Sequence, residues 1–269
     1  MRILTAVLKK DFQILMRYKL NLLTTLFSIF FYLLAIFFLS ETYEIKGVAS
    51  GEENEISLFL FFLTGLLMLD LTLTCSSTLP LTINFYQTSG IMEELISDFK
   101  IFLLTIISSI SLPLFITLTK FIIYLILANY LSNQSILISS KLLVLIPYLS
   151  IYLFFIIGIG LAAGSLTILF KRGNPIIQLN NILTLSLTGA FIPVSQLGWV
   201  IDSISFFIPG KHYLDILRAV MGQSEFGSQS IIWSSLWLLF LSLSIFVIGF
   251  FTFKHAIKYA KLNTNTSDY

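Results

Sequence analysis

The sequence predicts an all-α polytopic membrane protein, and three observations lead to that fold class. Of the 269 residues, 57% are hydrophobic and 11% are charged, whereas about 25% of the residues of a typical soluble domain are charged. Apolar runs of about 20 residues recur along the chain, and each is long enough to cross a bilayer as a helix. These runs also lack the alternation of polar and apolar residues that is typical of strands in a membrane barrel.

Six membrane spans can be drawn along the chain. Because their number is even, both termini are expected on the same side of the membrane. Residues 20–269 are predicted to form one domain that contains all six spans. Residues 1–19 are predicted to form a separate segment before it. The approximate limits of the spans are residues 20–40, 56–84, 101–131, 142–170, 175–192 and 231–253.

Lysine and arginine set the expected orientation, because the loops that carry more of them usually remain in the cytoplasm. Both termini are therefore expected in the cytoplasm of a multi-pass cell-membrane protein, with a bacterial cytoplasmic membrane as the expected location. The face of the termini holds Arg2, Lys9, Lys10, Arg17, Lys19, Lys100, Lys171, Arg172, Lys254, Lys258 and Lys261, and the opposite face holds Lys46, Lys141, Lys211 and Arg218.

Residues 1–19 are predicted to form an amphipathic helix. On a helical wheel, Lys9, Lys10 and Arg17 fall on a basic half, and Phe12 falls on the apolar half. A basic amphipathic helix of this kind lies along the membrane surface. One interpretation is an anchor that only sets topology, and the other is a helix that also meets a partner.

A second amphipathic helix is predicted between the second and third spans, in the segment YQTSGIMEELISDFK. A plain membrane hairpin needs only a few polar residues to turn around, so a whole helix at this point indicates a further role. Its apolar face holds Ile91, Leu95, Ile96 and Phe99, and its polar side includes Glu93 and Glu94.

The last loop, from residue 193 to residue 230, is too apolar for a solvated loop. It is predicted to form two short helices broken at Pro209-Gly210. Asp215 has helical i,i+4 and i,i+3 spacing to Lys211 and Arg218. Two short helices that dip into the outer leaflet would satisfy their own backbone hydrogen bonds there, which an irregular loop could not do.

Enzymatic chemistry is not expected of this chain. The sequence contains no P-loop and no H-E-x-x-H motif, so neither a bound cofactor nor a metal is predicted. Gly158, Gly160 and Gly164 lie in the fourth span, where small residues permit close helix packing.

Two ionisable residues fall within spans, Asp70 in the second and Lys120 in the third. Charges at membrane depth usually pair or face the interior of the bundle. Three interpretations stay open: a structural ion pair, a polar site on a transport path, or separate solvation of the two groups. Gln178, Asn180 and Asn181 in the fifth span are similarly ambiguous between joining helices and lining a cavity.

This pattern resembles the permease subunit of ABC transporters of the ABC-2 type (type V exporter) family, and the resemblance covers essentially the whole chain. Members often carry a Gly-Thr-Leu-Glu-like run in the first cytoplasmic loop, and the run Gly90-Ile91-Met92-Glu93-Glu94-Leu95-Ile96 is similar to it. Members also carry Pro-x-x-[Tyr/His]-x-x-[Asp/Glu]-x-x-Arg before the last span, and the matching places here hold Pro209, His212, Asp215 and Arg218.

The resemblance implies a function for each unusual segment. Residues 87–100 would be a coupling helix that docks into a separate ATPase subunit, and residues 1–19 would be a connecting helix at the same interface. Residues 194–224 would form an outer re-entrant pair that acts as a gate over the path. The coupling residues would be Gly90, Ile91, Glu93, Glu94, Leu95 and Phe99. The residues of the connecting helix at this interface would be Lys9, Lys10, Phe12 and Arg17. The residues of the gate would be Pro209, His212, Asp215 and Arg218.

The resemblance also implies partners. Two copies of the ATPase, which would bind ATP and Mg, would join this chain and a second permease subunit, either identical or related, within membrane lipid; no nucleic acid is expected. Two other functions remain open. One is an ATP-independent membrane scaffold or assembly factor, whose amphipathic helices only dock or lie on the bilayer. The other is an ion-coupled carrier built around Asp70 and Lys120.

Overall fold

The structure is a computed structural model, and it describes residues 2–17, 19–42, 53–132, 144–170, 174–221 and 228–262. Helices dominate, and no strand occurs among these residues, which confirms the all-α prediction. The helices are α1 (Arg2–Arg17), α2 (Lys19–Thr42), α3 (Glu53–Thr88), α4 (Met92–Ile96), α5 (Phe99–Ser108), α6 (Ser111–Ser132), α7 (Leu145–Phe170), α8 (Asn174–Leu187), α9 (Trp199–Ser205), α10 (Pro209–Val220) and α11 (Ser228–Leu262).

Several of these helices are long and apolar enough to cross a membrane, which supports a multi-pass membrane protein. Within the described ranges, four stretches meet that condition, and α2 adds a shorter apolar stretch, Phe27–Ser40. The six-span arrangement itself stays a prediction. The four stretches are Leu58–Thr88 in α3, Phe99–Ile126 in α5 and α6, Leu145–Phe170 in α7 and Ile231–Leu262 in α11.

The third predicted span is not one continuous helix. α5 ends at Ser108, and α6 begins at Ser111. Pro113 lies in the first turn of α6. A proline has no backbone N–H and its ring clashes with the carbonyl four residues earlier, here that of Ser109, so an unbroken helix through this point is disfavoured.

The fifth predicted span is helical over only part of its length. α8 has 14 residues, which rise about 21 Å, whereas the hydrocarbon core is about 30 Å thick. The helix ends before Gly189, whose φ of 78° is accessible to glycine at little cost. The following backbone turns into the protein, where the carbonyl of Ala190 lies against Gly65 of α3.

α3 forms the centre of the bundle, and α7 and α11 form its tightest helix pair. In the candidate span of α3, 83% of the residues are buried, against 22% in that of α11, so α11 turns most of its surface outward. A Cβ on Gly158 of α7 would lie 2.7 Å from Cα of Phe246, and one on Gly249 of α11 would collide with the carbonyl of Gly158. The predicted close packing at Gly158 is therefore confirmed, and Gly160 and Gly164 similarly face Leu79 and Ile83 of α3.

Some predictions concern residues outside the described ranges. They are the orientation-setting Lys46, Lys141, Lys171 and Arg172, the start of the fourth span at residues 142–143, the end of the outer pair at residues 222–224, and residues 263–269.

Candidate functional site

The segment after α3 does not form the single helix predicted for residues 87–100. Gly90, with a φ of 72°, separates α3 from the five-residue helix α4. Asp98 has an extended backbone, and its carboxylate accepts hydrogen bonds from the backbone N–H groups of Lys100 at 2.8 Å and Ile101 at 3.3 Å. Asp98 is therefore the N-cap of α5. The prediction of one continuous helix is therefore wrong, because the Asp98 side chain caps the start of a separate helix, α5.

The apolar face of α4 also differs from the predicted one. Met92 and Ile96 are buried in the core, and Leu95 and Phe99 pack partly against it. Ile91, by contrast, exposes 44% of its surface. One side of α4 therefore packs against its own bundle. The predicted docking residues Ile91, Leu95 and Phe99 do not form one exposed face.

The side of α4 that does not pack on the bundle has one exposed acidic residue, and an exposed apolar residue precedes the helix. Ile91 and Glu94 are both exposed, and Gly90 beside them is exposed as well. Glu93 belongs to α4 by its backbone. This surface is called the α4 face below and consists of Gly90, Ile91 and Glu94.

Residues of three other helices contact either the C-terminal end of α3 or the residue that follows α4. Lys10 of α1 lies over the ring of Tyr86 at 5.5 Å. Lys261 near the end of α11 donates to the carbonyl of Ser97 at 3.1 Å. Gln87 donates to the carbonyl of Thr167 near the end of α7. α1, the α4 face and the C-terminal ends of α7 and α11 therefore lie at the same end of the bundle.

Two of the four predicted residues of α1, Lys9 and Arg17, lie where an amphipathic helix should place them, and Lys10 and Phe12 do not. Val7 is buried, and Lys9 and Arg17 are exposed. Lys10 is half-buried and also pairs with Asp11 at 3.2 Å. Phe12 is 55% exposed, so one large apolar side chain of α1 remains uncovered at this end.

Asp70 and Lys120 form an ion pair between α3 and α6. Nζ of Lys120 lies 3.1 Å from Oδ2 and 3.3 Å from Oδ1 of Asp70. The hydroxyl of Thr74, one turn along α3, donates to the same carboxylate at 3.4 Å. Of the three interpretations open from the sequence, the geometry agrees with the structural pair.

Among the residues that the structure describes, no side-chain hydrogen bond joins Gln178, Asn180 or Asn181 of α8 to another helix. Gln178 is exposed. Asn180 is buried, and neither its Nδ2 nor Oδ1 of Asn181 has a partner among the described residues. A role as direct links between helices is therefore not supported for these amide atoms.

Arg218 of α10 lies at the other end of the bundle and binds backbone carbonyls. Its Nη2 lies 2.9 Å from the carbonyl oxygen of Gly189, 3.2 Å from that of Ala190 and 3.3 Å from that of Phe61. The guanidinium also stacks on the ring of Phe61 at 3.6 Å, and Nε donates to Thr64. Arg218 thus satisfies carbonyls that the early end of α8 leaves without helical partners.

The other predicted gate residues, Pro209, His212 and Asp215, lie in α10, close to the turn that joins it to α9. Pro209 is the first residue of α10 and not the break, which falls at residues 206–208. Nε2 of His212 lies 2.8 Å from the carbonyl of Phe206, and burial lowers the pKa of this histidine.

Lys211 pairs with Asp202 of α9 at 2.7 Å, and not with Asp215 as the helical spacing suggested. Desolvation raises the pKa of Asp215 to about 6.

Sequence reasoning missed the contacts that seat α10 in the bundle. The ring of Tyr213 stacks on that of Tyr152 in α7, with centroids 4.4 Å apart, and the Tyr152 hydroxyl is 2.7 Å from that of Thr72 in α3. Gly210 lies against Met68. A threonine and a tyrosine in otherwise apolar spans are the signal that could have indicated such a junction.

These features define a class of protein. Several helices of membrane-spanning length and apolar composition place the chain among multi-pass membrane proteins. The chain matches the family described as ABC-2 type transporter over residues 3–222, and it therefore belongs to that family. The resemblance inferred from the sequence is confirmed. No curated protein matches the chain.

Proposed function

We propose that this chain is the permease subunit of an ATP-driven exporter and that it receives its energy from a separate ATPase subunit. Membership of the ABC-2 type family supports a transport permease, and the sequence has no P-loop of its own. Two permease subunits would enclose the transport path between them, and each would bind one ATPase. α9 and α10 would form the gate at the outer end.

The α4 face is the observation that carries this proposal. α4 is fixed to its own bundle through Met92 and Ile96, while Ile91 and Glu94 remain exposed. A protein interface has an apolar core and a polar rim, and Ile91 with Glu94 would supply one residue of each kind. Because Ser97 directly after α4 binds Lys261 of α11, a displacement of α4 would be passed directly to a candidate span.

The test is a pull-down of the tagged chain from membranes in mild detergent, with ATPase activity measured on the eluate. Ile91→Asp places a charge at the centre of the proposed interface and should remove the copurifying ATPase. Val200→Asp is the matched control, since Val200 is equally exposed at 49% but belongs to α9 at the opposite end. Both variants should elute as monodisperse protein.

Leu95→Asp is less suitable for this experiment. Leu95 packs against the core, so a carboxylate there would disturb the fold as well as any partner. If Ile91→Asp retains the ATPase as well as Val200→Asp does, the α4 face is not the coupling site. If no ATPase copurifies with any form of the chain, even after crosslinking, an ATP-independent scaffold becomes the better description.

A further inference from the structure

An apolar cavity lies inside the protomer, among α3, α6, α7 and α10. Its volume is about 150 Å³, and its walls include Leu71 of α3, Phe121 of α6 and Leu149 of α7. Nine of the eleven lining residues have apolar side chains, and the other two are Thr117 and Tyr213. An apolar cavity of about this size stays free of water and accepts small hydrocarbon groups.

The mouth of the cavity opens between two candidate spans. Leu118 of α6 and Ile146 of α7 line it and are 36% and 57% exposed. Both helices belong to stretches long and apolar enough to cross the membrane, so their exposed side chains meet the hydrocarbon of the bilayer. The groups that reach this mouth at the highest concentration are therefore lipid acyl chains.

The two polar lining residues each carry a hydroxyl group. The hydroxyl of Thr117 donates to the carbonyl of Leu114 in its own helix at 2.9 Å. Tyr213 is 94% buried, since only 6% of its surface is exposed, and its side chain lines the cavity. A tyrosine hydroxyl that lines the cavity can donate to an acceptor bound there, and the ester carbonyl of a lipid is such an acceptor.

We propose that this cavity binds the ester-linked part of one acyl chain of a bilayer phospholipid, with the Tyr213 hydroxyl donating to the ester carbonyl. The bound chain would fill the space between α6 and α7 beneath α10, and it would contact α10 through Leu217. The site lies within one chain, so it does not depend on a second permease subunit or on an ATPase.

A photoreactive lipid tests this assignment directly. The purified chain is placed in nanodiscs of phosphatidylethanolamine and phosphatidylglycerol that contain a small fraction of phosphatidylethanolamine with a diazirine in one acyl chain. After illumination, mass spectrometry locates the adducts. We expect them to be enriched on residues 67–71 and 145–149, relative to the outward-facing surface of α11.

Two tryptophan variants provide the comparison. Leu149→Trp fills the cavity from a partly buried position, and the adduct on residues 67–71 should be lost. Ile122→Trp makes a similarly large change at an exposed position of α6 that does not line the cavity, and the adduct should persist. Should Leu149→Trp fail to give monodisperse protein, Leu71→Phe takes its place.

The tyrosine is tested separately with Tyr213→Phe, which keeps the ring and removes the hydroxyl. This variant should lower the adduct yield on residues 67–71, because the ester carbonyl loses its donor. A free fatty acid carrying the same diazirine serves as the comparison lipid, and the phospholipid should label the cavity more strongly. Uniform labelling of all lipid-facing helices, equal labelling of Leu149→Trp and wild type, or stronger labelling by the fatty acid would each overturn the proposal.

Discussion

Arg218 donates a hydrogen bond of 2.9 Å to the carbonyl oxygen of Gly189, and this bond joins the last short helix of the outer pair to the place where α8 stops. The same side chain reaches the carbonyls of Ala190 and Phe61. One buried guanidinium therefore connects α10, the end of α8 and α3. The arginine that the family pattern assigned to the gate is thus a structural link in this chain.

Replacing this arginine should destabilise the outer end of the bundle. Arg218→Lys keeps the charge but cannot present the planar fork to several carbonyls at once. Loss of these charge-assisted hydrogen bonds should lower the free energy of unfolding by about 2 kcal/mol. Thermal unfolding in detergent measures the change.

Lys211→Met is the control for this measurement. Lys211 pairs with Asp202, whose side chain is 55% exposed, and an exposed pair of this kind contributes at most about 1 kcal/mol. Equal stability of Arg218→Lys and Lys211→Met would show that the carbonyl contacts of Arg218 contribute little.

The Asp70–Lys120 pair allows a double-mutant test of its role. Lys120→Met leaves the Asp70 carboxylate partly buried without its partner, and this should cost up to about 3 kcal/mol. Asp70→Leu combined with Lys120→Met removes both charges and should recover most of that loss, because an apolar pair of similar volume has no desolvation cost. Unfolding in detergent gives both values.

Transport by the double variant then separates the remaining interpretations. If the pair is structural, the double variant should transport at close to the wild-type rate while Lys120→Met does not. If the pair lines the path or carries a coupling ion, transport should fail in the double variant although the fold is restored.

The contact between α7 and α11 should tolerate no side chain at its closest point. Gly158→Val would force the two backbones apart, since the new Cβ would lie 2.7 Å from the Phe246 backbone. A cost above about 2 kcal/mol is expected from overpacking a close contact. Val247→Ile, which adds a methyl group at an exposed position of α11, should leave the melting temperature unchanged. A mild effect of Gly158→Val would mean that the helices can separate freely.

The cap at Asp98 should control where α5 begins. Asp98→Ala removes the acceptor for the N–H groups of Lys100 and Ile101 and should cost about 1 kcal/mol. Hydrogen exchange at those two amides should quicken, while exchange in α6 stays unchanged. Glu94→Ala is the control, because its exposed side chain makes no cap for α5. Unchanged protection of both amides in Asp98→Ala would contradict the cap.

The breaks in the helices could be recognised from the sequence to different degrees. Pro113 and Gly189 are local signals, and each stands where a predicted span is interrupted or cut short. Asp98, with a helix directly after it, is an ordinary N-cap pattern. The prediction of one helix over residues 87–100 overlooked it because apolar residues occur on both sides of the cap.

Other features depend on contacts that no local pattern contains. Whether Leu95 faces a partner or its own core is decided by where α4 meets the bundle. Asp202 lies nine residues before Lys211, so its distance depends on the turn between α9 and α10. Two of the carbonyls that Arg218 binds, those of Gly189 and Ala190, follow the early end of α8. These choices are set by tertiary packing, and sequence spacing alone could not predict them.

α11 also has a mechanical consequence. Its Trp237 packs against Phe206, just before α10, with ring centroids 4.7 Å apart, and near its C-terminal end its Lys261 binds Ser97. Gly249, which touches the backbone of α7, lies 12 residues from each, or about 18 Å along the helix. Gly249 therefore lies midway between these two contacts, where the backbones of α11 and α7 meet. A tilt of α11 about Gly249 would move Trp237 and Lys261 by similar distances in opposite directions.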